Sequence, residues 1–154
     1  MKIILLLLVV CSLQDSLACL CAWETPQEKF CRADFAIRGQ VTSIENVYPS
    51  AESTQLSPKI PFAIKYLVLV KKIYKGADLI PAKNVEILTA TSENMCGVTD
   101  LEVNGIYLLT GHMFEGEFKI GICDWIEKYD NLTSSQRKGL KTIYNNCDDT
   151  VYVE

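Results

Sequence analysis

The stretch Phe35-Ala36-Ile37-Arg38-Gly39-Gln40-Val41 decides the fold class. Phe35, Ile37 and Val41 alternate with Ala36, Arg38 and Gln40, the period of two expected of a strand with one face in a core. Gly39 interrupts the run, and a glycine inside a strand marks a bend or a close approach of another chain segment, as at a barrel corner. Downstream, Phe62, Ile64, Tyr66, Val68 and Val70 predict one face of a second strand, and residues 85–91 and 106–110 predict two more. Phe118, Ile120 and Ile122 alternate with Lys119, Gly121 and Cys123 in a fifth, introduced by a turn at Glu115-Gly116. Residues 48–61, with three prolines and two isolated charges, read as an exposed hairpin loop. Strands that follow one another between residues 35 and 123 without a βαβ rhythm imply a small closed sheet.

Helices flank this β-rich middle. Within 22–34, Thr25 can cap a short helix with Pro26 in its first turn, followed by Gln27 and Glu28. Thr133-Ser134-Ser135-Gln136 has the capping-box pattern and opens a second helix running to Asn145. Leu132, Gln136, Leu140, Ile143 and Tyr144 would share its inner face, with Arg137, Lys138 and Lys141 largely opposite.

The chain has 154 residues and a formal net charge of −4. Lys2, the apolar run from Ile3 to Val10 and the small residues of Ser16-Leu17-Ala18 form a secretory leader cut before Cys19. Cleavage there removes 18 residues and leaves 136, the size of one domain with the charge still at −4. That acidic balance argues against nucleic-acid binding and against adhesion to anionic lipid. No later apolar stretch reaches the roughly 18 residues needed to span a bilayer, so the secreted, extracellular product is expected to be soluble. Of the seven cysteines, Cys11 leaves with the leader. Cys19, Cys21, Cys31, Cys96, Cys123 and Cys147 remain, an even number that points to three disulfides whose connectivity spacing alone leaves open.

Enzymatic readings find little to stand on. His112 is the only histidine and falls in an expected turn, Gly111-His112-Met113, as a solvated loop residue. There is no GxSxG, HExxH or phosphate-cradling glycine loop. Asp148-Asp149 reads as part of a solvated tail over 148–154. Cys19-Leu20-Cys21 is the unusual feature. On its own it reads as two structural half-cystines. A zinc site within the chain needs more thiolates, and a redox centre usually has two residues between its cysteines. A bacterial lipobox would want leucine where Ser16 stands. Position makes the motif matter: after cleavage Cys19 carries the α-amine, and that amine with the carbonyl oxygen of the same residue can close a five-membered chelate ring on a zinc ion. An α-amine titrates near ~8, so part of it is neutral at physiological pH.

Several motifs, in order, resemble the tissue inhibitors of metalloproteinases, specifically their inhibitory N-terminal domain. Cys19-x-Cys21 resembles the family's mature start, and Phe30-Cys31-x-x-Asp34-x-x-Ile37-Arg38 its next signature. Lys72-x-Tyr74-Lys75-Gly76, Glu93-x-x-Cys96-Gly97 and Gln136-Arg137-Lys138-Gly139-Leu140 follow in register with all six cysteines. The resemblance implies a mainly β domain over 19–147, a five-stranded OB-fold-like barrel with flanking helices (the netrin-like fold), bridged Cys19–Cys96, Cys21–Cys123 and Cys31–Cys147. It implies a monomeric, non-enzymatic inhibitor with no cofactor of its own, acting on zinc metalloproteinases of the matrix or disintegrin type. Cys19 would ligate the partner's zinc through amine and carbonyl, and Leu20 would enter the S1′ pocket. Cys21 and Ala22 would continue along the primed side, and Glu93, Asn94 and Met95 would cover the unprimed side.

Departures from the family pattern shape further expectations. Trp23-Glu24 stand where familiar members carry prolines, and Leu20 replaces a small hydroxylated residue, which favours targets with deep apolar S1′ pockets. Seven residues follow Cys147, so a second, six-cysteine domain and docking to latent pro-enzymes through it are not expected. Asn131-Leu132-Thr133 is a glycosylation sequon. The competing reading is a netrin-like extracellular binding module that inhibits nothing, since fold does not fix function. A thiol oxidoreductase built on Cys19-x-Cys21 would instead show free thiols.

Overall fold

In the computed structural model, which describes residues 19–49 and 60–147, the Phe35–Val41 stretch opens strand β1 (Phe35–Val47). The leader expected over 1–18, most of the proline-containing loop and the tail expected from 148 lie outside the described residues. β1 pairs antiparallel with β2 (Ala63–Lys75), from Ala36 opposite Lys75 to Val47 opposite Ala63. β2 pairs antiparallel with β3 (Asn84–Thr89). β4 (Ile106–Phe114) and β5 (Glu117–Lys119) form a hairpin whose turn residues Glu115 and Gly116 both take positive φ, 53° and 80°, as a tight two-residue β-turn of this hand requires. β5 lies parallel to β3, and β4 returns to pair with β1 through Phe35 opposite Gly111. The order β1-β2-β3-β5-β4 therefore closes on itself, and the five-stranded barrel expected from the sequence is what the chain forms.

Gly39 works as a bend. The β1–β2 register shifts between Arg38 and Gly39, and a Cβ at Gly39 would collide with Val68 Cγ1 of β2. β1 also buries both faces at its start. Phe35 and Ile37 point into the barrel core with Tyr66, Val68, Ile87 and Leu109. Ala36 points outward into a second core with Phe30, Leu108, Trp125, Leu132 and Leu140. The outer core joins the two helical segments to the barrel wall, and each large apolar side chain it removes from water stabilises the fold by roughly 1.5–3 kcal/mol. Helix α1 (Pro26–Arg32) starts with the full capping box: Glu28 N donates to Thr25 Oγ1, and Thr25 N donates to Glu28 Oε2. That bond to the Thr25 backbone holds the Glu28 carboxyl below its usual range. At the other end Lys75 Nζ donates to the Phe30 and Cys31 carbonyls, 3.1 and 2.7 Å, satisfying orphan acceptors of the last turn.

The structure differs from the sequence expectations at five points. Phe62 precedes β2 and is 57% exposed, so the inward face begins at Ile64, which packs against the barrel core. His112 lies in β4, not in a turn; the turn comes three residues later. β5 ends at Lys119 because the chain folds into a Gly121–Asp124 turn, closed by Asp124 N donating to Gly121 O, which leaves Ile122 outside the sheet. A sixth short strand, β6 (Ile126–Lys128), adds to the far edge of β4; three residues carry no alternation long enough to read. The second helix, α2 (Ser134–Lys138), has its Thr133–Gln136 capping box but changes into a π turn over Gly139–Ile143. The extra residue in that turn rotates Ile143 out to 48% exposure, while Leu140 stays buried.

Candidate functional site

Residues 19–25 run along one end of the barrel without regular secondary structure, and two crosslinks hold them there. Cys19 is bridged to Cys96 and Cys21 to Cys123, with Cα–Cα distances of 5.5 and 5.2 Å. The third bridge, Cys31–Cys147, fastens α1 to the end of the C-terminal helical segment. These are the three pairs that the resemblance implied. The loops receiving the first two bridges are themselves joined, since Ile122 N donates to Cys96 O at 3.0 Å. Both anchor points of the 19–21 segment therefore belong to one rigid platform.

The Cys96 loop is fixed in an unusual conformation. One turn of 3₁₀ helix, Glu93–Met95, ends at Cys96, which takes the left-handed region at φ 62°, ψ 21°. That conformation disfavours a non-glycine residue by roughly 1–2 kcal/mol. Cys96 N donates to Glu93 O and Gly97 N donates to Ser92 O, both at 2.9 Å, which together with the bridge offset the cost. Gly97 permits the turn, because a Cβ there would run into the Ala90 carbonyl.

The result is a double ridge. Cys19 Sγ lies 3.5 Å from the Asn94 carbonyl oxygen, so the segment and the loop sit side by side. Along it, Leu20 is 82% exposed, Trp23 91% and Met95 54%, with Ala22, Glu93 and Asn94 also exposed. Apolar side chains raised on a covalently braced backbone have the character of a protein-binding surface. The structure thus brings Cys19, Leu20, Cys21, Ala22, Glu93, Asn94 and Met95 to one place. A shallow groove of about 380 Å³ opens beside them, bounded by Phe62, Leu88, Met95 and Ile120. Asn131 lies elsewhere, exposed in a 3₁₀ turn over Tyr129–Asn131, with Nδ2 donating to Glu127 Oε1. Among the described residues no three His, Cys, Asp or Glu side chains gather where they could hold a metal ion.

Sequence reasoning missed what braces the ridge from behind. Arg32, on the last turn of α1, meets Glu24, Asp124, His112 and the carbonyl of Cys123. Burial works against its charge, but the carboxylates of Glu24 and Asp124 more than offset that and raise its pKa further. These residues are 8 to 92 positions apart in the chain, and nothing in the pattern links them. Only the lone histidine stood out.

Comparison with known proteins gives the arrangement its context. Residues 17–152 match the family model described as tissue inhibitor of metalloproteinase. Metalloproteinase inhibitor 3 of Gallus gallus is 40% identical over 138 residues, covering 87% of this chain and 59% of that protein. The protein of the same name in Scyliorhinus torazame is 37% identical over 150 residues, 92% of this chain and 64% of that one. Metalloproteinase inhibitor 2 of Homo sapiens is 36% identical over 145 residues, 90% of this chain and 61% of that one. The chain thus spans about three-fifths of the length of these relatives.

Proposed function

This chain belongs to the tissue inhibitor of metalloproteinase family, and on that premise we propose that it is a secreted inhibitor that occupies the active site of zinc metalloproteinases with its Cys19–Ala22 ridge. The observation that carries the reading is the pair of crosslinks, Cys19–Cys96 and Cys21–Cys123, on either side of an 82% exposed Leu20.

Removal of the leader after Ala18 gives Cys19 a free α-amine. A catalytic zinc in such a proteinase has three protein ligands and a remaining position for water. The Cys19 amine and carbonyl oxygen take the place of that water and close a five-membered chelate ring on the zinc. The amine keeps a proton to donate to the proteinase's general-base glutamate. Leu20 enters the S1′ pocket as a substrate side chain does, and Cys21 and Ala22 follow along the primed side. Glu93, Asn94 and Met95 cover the unprimed side. No scissile bond stands at the zinc, so the proteinase is occupied without turnover. Because the bridges fix the segment before contact, little ordering entropy is lost on binding. A side chain the size of leucine suits targets with deep apolar S1′ pockets, of the matrix or disintegrin type.

The test is a variant with one alanine added before Cys19. Its amine then lies one residue away from the chelating position and its ring cannot close. Inhibition is expected to vanish while thermal unfolding stays that of the wild type. Retained inhibition overturns the chelation mechanism. Sequencing the secreted protein's amino terminus separates this reading from a non-inhibitory binding module, which does not require a start at Cys19.

A further inference from the structure

The ridge has a weak point that the bridges do not cover. Cys21 is the last crosslinked residue, α1 begins only at Pro26, and Ala22-Trp23-Glu24 between them have no regular structure. Trp23, 91% exposed, packs little against the domain. Glu24 is the one residue of the three with a side-chain tie to the barrel, and that tie is Arg32.

We propose that Arg32 is a positioning residue for inhibition, a single guanidinium that locks the exit of the ridge to the same platform that holds its disulfides. Arg32 Nε and Nη2 donate to Glu24 Oε1 and Oε2, each at 3.1 Å, a bidentate fork. Nη2 also donates to Cys123 O at 2.8 Å, the carbonyl of the residue bridged to Cys21. Nη1 donates to Asp124 Oδ1 at 3.3 Å and meets His112 Nε2 at 3.1 Å. Five contacts match the five N–H bonds of the side chain. His112 accepts at Nε2 in the tautomer protonated at Nδ1, and Nδ1 faces Asp34 Oδ2 at 3.5 Å. Asp34 Oδ2 is fixed in turn by Met113 N at 2.9 Å, and Asp124 Oδ2 by Gly121 N at 2.8 Å. The network ties the segment leaving Cys21 to α1, to β4 and to the Gly121–Asp124 turn at one point.

The geometry of the fork matters here more than its charge. Arg32 is 36% exposed along its side chain, and ion pairs with that much solvent add little to stability. What it supplies is a fixed direction for residues 22–24. Lysine carries the same charge but has no planar fork and cannot meet two carboxylates, a carbonyl and an imidazole together.

This inference rests on the inhibitory reading above, and the experiment keeps the two apart. Backbone ¹⁵N order parameters of Ala22, Trp23 and Glu24 are measured in the uncomplexed protein, with melting temperature and inhibition of a matrix metalloproteinase catalytic domain, for wild type, Arg32→Gln and Arg32→Lys. In the wild type these order parameters are expected near ~0.85, and in both variants below ~0.6. Melting temperature falls only slightly, since the nearly buried Asp124 carboxylate loses one donor but keeps Gly121 N, and inhibition weakens about tenfold in both variants, as extra ordering on binding requires. Lys128→Gln, which breaks an exposed ion pair with Glu102 elsewhere, leaves all three readouts alone. The proposal is overturned if Arg32→Gln keeps the segment rigid, if Arg32→Lys restores wild-type behaviour, or if the segment loosens while inhibition holds. A wild type that inhibits nothing overturns the functional reading, and with it a role in inhibition, while the order parameters still report on the clamp itself.

Discussion

Leu20 projects from the ridge with its side chain in water, and its neighbours on both sides are crosslinked. A buried leucine side chain gains roughly 1.5–3 kcal/mol over an exposed one, so transfer of Leu20 into an apolar pocket is expected to be the main hydrophobic contribution at the interface. Leu20→Gly should weaken inhibition by about 1–3 kcal/mol and leave the melting temperature unchanged, because the residue packs against nothing in the free domain. Unchanged affinity across a panel of matrix and disintegrin metalloproteinases would remove Leu20 from the S1′ pocket. The crosslinking of Cys19-Leu20-Cys21 was legible in the sequence, since two half-cystines flank Leu20 there. Arg32, Glu24, His112 and Asp124 were not, because a side-chain network is set by which loops the fold brings to one end of the barrel. His112 shows the difference. Read as a solvated turn residue, it lies in β4 between Arg32 and Asp34.

Elements were legible where their own chemistry defines them. Both capping boxes, Thr25 with Glu28 and Thr133 with Gln136, are local hydrogen bonds that sequence spacing dictates, and both form. The π turn after α2 was not, because the spacing of apolar residues fits an ordinary helix there, and the close approach of Gly139 to the Tyr144 ring is a contact of the folded turn. β6 owes its existence to the open edge of β4. Within the barrel, β2 carries the clearest pH signature. Tyr66 is buried and donates to Val98 O at 2.8 Å, and burial, aided by the charge of Asp100, pushes its phenol up to about 12. Unfolded, a tyrosine releases its proton near pH ~10, so between that pH and the folded value the unfolded state binds fewer protons and stability falls as pH rises. Urea denaturation from pH 8 to 11.5 should show this decline in the wild type and a shallower one in Tyr66→Phe. That variant starts about 1–2 kcal/mol less stable at pH 8 because it leaves the Val98 carbonyl without a partner, and the gap narrows above pH 10. A gap that stays constant would contradict the assignment.

At the scale of the whole molecule the three bridges divide their work. Two hold the ridge, and Cys31–Cys147 closes a loop of 116 residues that ties the first helix to the last. Crosslinking a loop of that length stabilises by about 4–5 kcal/mol in the chain-entropy picture. Replacing Cys31 and Cys147 with alanine should lower stability by a large part of that amount, measured by urea denaturation. Inhibition assayed where the variant is folded should persist. Loss of inhibition in a folded variant would mean that the ridge is not the autonomous platform described here. The barrel was legible because alternation along β1 and β2 is long, and because the six bridged cysteines stand in family register. Its closure through β5 against β3 was not, since two paired residues in each strand leave no periodic trace.

The account as a whole turns on where the amino terminus goes. A crystal structure of the mature protein with a matrix metalloproteinase catalytic domain measures this directly. It should place the Cys19 nitrogen about 2.0–2.1 Å from the proteinase's zinc, with the carbonyl oxygen of the same residue as a second ligand and Leu20 in the S1′ pocket. A complex in which the zinc keeps its water and Cys19 lies outside the catalytic cleft would contradict the account.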